Sequence, residues 1–134
     1  MLCKSCGCSE EDHKPGGKCT HGCSLGEVRI KDPLTGGEKG QKPQRFSLIP
    51  ADFLWALATH YGVGARKYED RNWEKGYNWS LSEDAFSRHF SQWKHGETHD
   101  EETGTHHLIC AAWHIIALWW FDTHSKGTDN IRSK

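Results

Sequence analysis

Two stretches of helix length, one opening at Ser80 and the other running from about Thr105 to Thr123, are joined by a short acidic loop between Gly96 and Gly104. A connection this short leaves consecutive helices side by side, so the pair can fold only as an antiparallel helical hairpin. Phe86, Phe90 and Trp93 give the first stretch an apolar face at helical spacing. Ser80 and Glu83 stand at capping-box spacing, and Gly96 suits its end. The second stretch carries the longest apolar run, Leu108 to Phe121, broken by His114. That run is shorter than the roughly 20 residues a bilayer span needs and reads as a buried core helix.

The hairpin concentrates titratable side chains at its bend. Glu97, Asp100, Glu101 and Glu102 lie between His89 on one side and His107 and His114 on the other. Positions i, i+3/i+4 and i+7 share a helix face, so His107, Cys110/Ala111 and His114 form one stripe, while His89 and Gln92 flank the facing apolar surface. Carboxylates are the hard ligands that Mg2+ or Mn2+ prefers, and imidazoles shift the preference towards Mn2+ or another transition metal. His89, Glu97, Asp100 and His107 are therefore expected to converge on a divalent cation able to hold a phosphate. Asp70, Glu101 and His114 are alternative ligands. Taken singly, His114 reads as a hydrogen-bonded core residue. Glu101, Glu102, His99 and His106 read singly as solvated loop positions; the joint occurrence carries the expectation.

Upstream, Pro50 suits a first helical turn, and Phe53, Leu54, Leu57, Ala58 and Tyr61 form an apolar stripe that Gly62 or Gly64 can end. The following ARKYEDRNWEKGYNW reads as a short helix and then a loop. Its mixture of cations, amide and indoles suits a nucleotide. Lys67 or Arg71 would pair with phosphate oxygens, Asn72 would read a base edge, and Trp73 or Trp79 would stack on the ring. The plainer reading is a connection plugged into the core by its tryptophans, and for Trp79 that reading is preferred.

Five of the six cysteines lie within the first 23 residues. Cys3-x2-Cys6 forms a chelating turn, and His13 and Cys19 complete a tetrahedral set for structural Zn2+, with Cys23, Cys8 and His21 as competitors. Such a segment has too little apolar surface to fold without metal. It lacks the interleaved aromatics of a nucleic-acid-binding knuckle. The net charge of −1 supplies no general attraction to nucleic acid or a membrane surface. The opening MLCKSCGCSEED has no apolar signal core, so a cytoplasmic protein is expected. Residues 25–48 read as an extended arm, with a short strand at Val28 and Ile30 and turns at Asp32-Pro33 and Gly36-Gly37. The expected order is a zinc-binding segment (1–24), this arm (25–48), an all-α domain (49–125) and a frayed polar tail (126–134).

GARKYEDRNWEKGYNWS followed by RHFSQWKHGETHDEETGTHHLICAAWHIIAL resembles the phage-type dATP/dGTP diphosphohydrolases, relatives of the MazG-like all-α nucleoside triphosphate pyrophosphohydrolases. The segment before it, Gly40-x-Lys42-x2-Arg45-x2-Leu48-Ile49-Pro50, fits that family's pattern too, and the resemblance covers roughly residues 35–122. Lys67-Tyr68, Asp70-Arg71-Asn72-Trp73, Arg88-His89, Gly96-Glu97, Glu102-Thr103-Gly104 and His107 carry it jointly. The N-terminal Cys/His segment resembles an extension found on some members. One departure concerns the ligands: where the MazG signature has E-x-x-E and E-x-x-D on two helices, His89 and His107/Cys110 occupy the corresponding faces, and Glu97 and Asp100 supply an E-x-x-D in the loop.

The resemblance implies a MazG-like helical domain that hydrolyses purine deoxynucleoside triphosphates to monophosphate and pyrophosphate with Mg2+ or Mn2+, remodelling a phage's nucleotide pool in its host's cytoplasm. It casts Glu97, Asp100, His89 and His107 as metal ligands or base, Lys67 and Arg71 as phosphate clamps, and Asn72 and Trp73 as base-recognition residues. Three helices make a thin core, so a homo-oligomer is expected. Two other readings stand beside it. One is a phosphohydrolase of the histidine/aspartate type releasing triphosphate or phosphate, for which His99-Asp100 is the only adjacent pair. The other is a zinc-containing binding module without catalysis.

Overall fold

The computed structural model describes residues 28–133 together with two short backbone pairings near the N-terminus, His13–Lys14 and Lys18–Cys19. The proposed zinc ligands Cys3, Cys6, His13, Cys19 and Cys23 have side chains outside the described residues. The chain divides into two compact units, Met1–Ile49 and Pro50–Lys134.

The two N-terminal pairings form strands β1 (His13–Lys14) and β2 (Lys18–Cys19). After them, β3 (Val28–Lys31) and β4 (Glu38–Gln41) pair antiparallel with Val28 opposite Gln41 and Lys31 opposite Glu38. The fold is therefore mostly helical with small two-stranded sheets, and the expected extended arm is in part a hairpin. Its turn is built locally. Asp32 Oδ1 accepts the backbone N–H groups of Leu34 and Thr35, both at 2.8 Å. Gly36 takes φ +77, a left-handed conformation that a glycine adopts without steric cost.

In the second unit, α1 spans Ala51–Lys67, α2 Ser80–Lys94 and α3 His107–His124. Helix α1 does not stop at Gly62 or Gly64. Neither has positive φ, and an interior glycine costs about 1 kcal/mol without ending a helix. Arg66 and Lys67 in the last turn and Asp52 in the first complement the helix dipole. Helices α2 and α3 pack most extensively on one another, and α1 joins them through α3.

The core is small and aromatic. Phe121 and Ala117 of α3 are fully enclosed with Trp79, and Trp73, Tyr77, Trp113 and Trp120 pack around them. Burying a side chain such as Phe121 stabilises by about 1.5–3 kcal/mol, so a few large rings hold this unit together. Trp79 belongs to that core, as preferred. Helix α1 has no fully buried residue, and Trp55, Trp119 and Ile115 lie exposed.

The capping expectation needs correction. Ser80 is the first residue inside α2 and makes no capping box with Glu83. Instead Asn130 Oδ1 accepts from Ser80 N at 2.9 Å, and Asn130 Nδ2 donates to Ser80 Oγ at 2.8 Å. The polar tail is not frayed but folds back as a strap. Trp79 N donates to Thr128 O (3.0 Å), and Trp79 Nε1 donates to Lys126 O (2.8 Å). Arg132 lies over the Trp79 ring at 5.3 Å, with its Nε on Asp129 Oδ2 at 2.7 Å.

The Asp129 carboxyl is held down to about 2, first by the backbone N–H of Arg132 and then by its guanidinium and the N–H of Ile131, against the upward push of burial. A depressed carboxylate pKa stabilises the fold above the unfolded value of 3.8, and that stabilisation is lost as pH falls towards about 2. Asp129→Asn is therefore expected to lower the melting temperature by a constant amount above about pH 5, and by an amount that shrinks as pH falls and vanishes below about pH 2. Paired thermal melts across that range check it.

Candidate active site

The loop between α2 and α3 is rigid for its length because its backbone bonds to itself. Asp100 N donates to Thr105 O at 2.8 Å, Gly104 N to Asp100 O at 2.8 Å and His107 N to Thr98 O at 2.9 Å, while His99 and His106 form an isolated bridge. Positive φ at Gly96 (+100) and Gly104 (+74) makes the two sharp changes of direction. The start of α3 is fixed by His106, whose Nδ1 accepts from Leu108 N at 3.0 Å. The folded loop carries Asp100 to the gap between the helices. There Asp100 Oδ2 accepts from Thr103 N (3.0 Å) and Thr103 Oγ1 (2.8 Å), and nothing among the described residues bonds its Oδ1.

His89 of α2 and His107 of α3 meet across the same gap, 5% and 0% exposed. Their Nδ1 atoms are 2.9 Å apart, and ligand atoms of His89, Asp100 and His107 all lie within 4.8 Å of one another. Glu97, the fourth ligand expected from the sequence, is not in this cluster; its Oε2 stands 3.6 Å from His107 Nε2. One placement of protons satisfies these contacts. Arg88 Nη2 donates to His89 Nε2 at 3.5 Å, His89 Nδ1–H donates to His107 Nδ1, and His107 carries its proton on Nε2 facing Glu97. At 3.6 Å that last contact is too long for a hydrogen bond. His107 Nε2 thus stays buried with no hydrogen-bond partner among the described residues.

Burial, with Arg88 close by, lowers the pKa of His89, so its ring is held neutral. For Asp100, burial pushes upward but is outweighed by the Thr103 hydroxyl and backbone N–H, with His89 and His107 adding, so the carboxyl sits below its usual range. A neutral imidazole such as His89 and an ionised carboxylate are the forms that ligate a cation.

His89 and Asp100 stand in the wall of a cavity of about 800 Å³, within the 300–1,000 Å³ range of ligand pockets. Lys67, Asp70, Arg71, Asn72 and Trp73 also line it. Lys67 Nζ bridges the mouth to Glu102 at 3.2 Å, an exposed pair worth little to stability. Arg71 is exposed with left-handed backbone (φ 59), an uncommon state for a residue with a side chain, and opens the 3-10 turn Asn72–Lys75. Trp73 contacts Tyr61, Trp113, Trp120 and Phe121 with centroids 5.2–6.4 Å apart, so it is a wall of the core as well as of the cavity. Of the alternative ligands, Asp70 and His114 line the cavity without joining the three-residue cluster, and Glu101 is exposed outside that lining. His114 stacks on His89 (6.1 Å, 20°), and burial pushes its pKa down to about 4, with His89 adding.

Two contributors, His60 and Ser82, were not among the residues singled out from the sequence. His60 of α1 reaches across to Thr105 Oγ1 at 2.9 Å and lines the cavity. Tyr77 Oη and buried Ser82 Oγ meet at 2.6 Å. Only helical spacing from Leu57 could have pointed to His60, and Ser82 is a first-turn serine like many others.

Residues 33–131 match the family described as dATP/dGTP diphosphohydrolase, N-terminal. The chain is similar to a dATP/dGTP diphosphohydrolase of Salmonella phage PMBT28, 30% identical over 99 residues. That match covers 74% of this chain but 34% of the phage protein, so the chain spans about a third of its relative's length. No solved structure matches the chain.

Proposed function

Because the chain belongs to the dATP/dGTP diphosphohydrolase N-terminal family, we propose that its helical unit hydrolyses purine deoxynucleoside triphosphates, dATP or dGTP, to the monophosphate and pyrophosphate. The observation that carries this reading is the His89–Asp100–His107 cluster set beside a nucleotide-sized cavity that also holds cations and indoles.

Two imidazoles and one carboxylate, with the buried Nε2 of His107 left without a partner, suit a divalent cation, Mn2+ or Mg2+. It would be held by His89, Asp100 and His107 with Glu97 beside them, once the hydrogen bond between the two rings gives way and each turns an unprotonated nitrogen to the ion. When bound, that ion would supply Lewis-acid polarisation of phosphate oxygens and acidify water. The chain's own groups do the rest. Thr103 fixes one oxygen of Asp100 and leaves the other for the ion. Arg88, Lys67 and Arg71 bring positive charge for the triphosphate, and Lys67 exchanges Glu102 for a phosphate oxygen as the substrate enters. Glu97, half-buried beside His107, is cast as the group that would accept a proton from attacking water. Asn72 and Trp73 face the base, and the aromatic wall excludes water from it.

The helical pair is read as MazG-like, with the carboxylate ligands moved from helix to loop and histidines on the helix faces. The exposed Trp119, Ile115 and Trp55 are read as surfaces covered in a homo-oligomer. An N-terminal zinc segment, a cytoplasmic location and a role in a phage's purine nucleotide pool complete the proposal. No helix among the described residues is long and apolar enough to cross a membrane. A nucleotide panel with Mg2+ or Mn2+, read by chromatography, tests the reading. It predicts dAMP or dGMP with pyrophosphate; release of triphosphate would favour a histidine/aspartate-type enzyme, and no turnover would favour a binding module.

A further inference from the structure

We propose that His114 is a further substrate-contacting residue, a neutral imidazole whose Nε2–H donates to a phosphate oxygen of the nucleotide, and that Ser82 and Tyr77 are positioning residues that fix its tautomer. This rests on the nucleotide-hydrolase reading above. Tyr77 Oη, Ser82 Oγ and His114 Nδ1 form one chain, with links of 2.6 and 3.0 Å. Ser82 is fully buried at its centre, so no solvent competes for its hydroxyl.

The direction of the chain follows from its ends. If Tyr77 donates to Ser82 and Ser82 to His114 Nδ1, both hydroxyl protons are used. In the reverse direction the Tyr77 proton has no acceptor among the described residues. A phenol is also a better donor than an alcohol, and an unprotonated ring nitrogen is a strong acceptor. The proton of His114 is thereby placed on Nε2. With Nδ1 turned to Ser82, Nε2 is the ring nitrogen left for a ligand, and His114 lines the cavity.

The position of the ring selects the ligand group. His114 stacks on His89 on one side (6.1 Å, 20°) and meets the edge of Trp113 on the other (4.9 Å, 79°). It stands between the cluster and the aromatic wall, where the first phosphate of a nucleotide lies if its base faces the indoles. A fixed N–H aimed at a phosphate oxygen stabilises charge that builds during hydrolysis without reorganising.

The test uses the full chain, with dATP as probe and 15N-labelled histidine. His114 is expected to show a protonated Nε2 and an accepting Nδ1, identified by its absence in His114→Gln. Tyr77→Phe is expected to mix the two tautomers while retaining the ring's contact with Phe121. His114→Phe should lower kcat about 100-fold with a smaller change in KM, the scale set by loss of one transition-state donor, and His114→Gln should recover most of it. A proton on Nδ1, a glutamine variant no better than phenylalanine, or a phenylalanine variant with full kcat would overturn the assignment. Wild-type turnover untouched by His114→Phe removes this assignment alone. A wild-type chain that hydrolyses no deoxynucleoside triphosphate removes the hydrolase reading and this assignment with it.

Discussion

Asp100→Asn is expected to reduce dATP hydrolysis by more than about 100-fold, since loss of groups that merely orient metal ligands already costs 10–100-fold. The substitution preserves the shape of the side chain. An asparagine carbonyl can still accept from Thr103 N and Oγ1, which hold the loop in place. What it removes is the negative charge in a cluster otherwise made of two imidazoles. Binding of Mn2+ should weaken in parallel, and the circular dichroism spectrum should stay unchanged. His107→Ala is a poorer probe, because His107 is fully buried and its removal leaves His89 Nδ1 without its 2.9 Å partner. A variant at Asp100 with a tenth or more of wild-type turnover would separate the loop carboxylate from the chemistry.

Gly76→Ala is expected to be the most destabilising single-methyl change in the helical unit. Gly76 has φ +90 and ψ 154, a region open only to glycine, where another residue costs about 1–3 kcal/mol. Its missing Cβ would collide with the backbone nitrogen of Gly127 and come within 2.8 Å of the Gly127 Cα. Relief requires the strap to move, which breaks bonds between Trp79 N and Thr128 O (3.0 Å) and between Thr128 N and Tyr77 O (3.2 Å). Each contributes about 1 kcal/mol. A total of about 3–5 kcal/mol would lower the melting temperature by roughly 12 °C or more in a unit of this size. Thermal melts measure it, and a shift of only a few degrees would show that the strap yields without cost. The same movement would disturb Tyr77, linking a remote glycine to the hydroxyl chain behind His114.

What could be read from the sequence follows the range of the interactions involved. Helices α2 and α3 and the bend between them were legible because apolar spacing and flanking glycines are local signals. The grouping of His89, Asp100 and His107 was legible because a short hairpin confines the ends of its helices. Interactions between distant segments were not. Asn130 caps α2 from 50 residues away, and His60 bonds Thr105 across 45 residues. Glycine was over-read as a stop signal in α1, since its cost inside a helix is small beside the packing of that helix on α3. The strap at 126–132 looked like a polar tail because its contacts are made mainly by backbone groups that composition does not reveal.

In the proposed mechanism, one cation held by the hairpin's imidazoles and Asp100 also grips the nucleotide. Pulsed electron paramagnetic resonance of Mn2+ bound to the full chain with dATP reads both sets of ligands at once. Nitrogen couplings from imidazole and phosphorus couplings from the triphosphate are expected on the same ion, both lost in Asp100→Asn. A Mn2+ signal with phosphorus couplings but no imidazole nitrogen would contradict it.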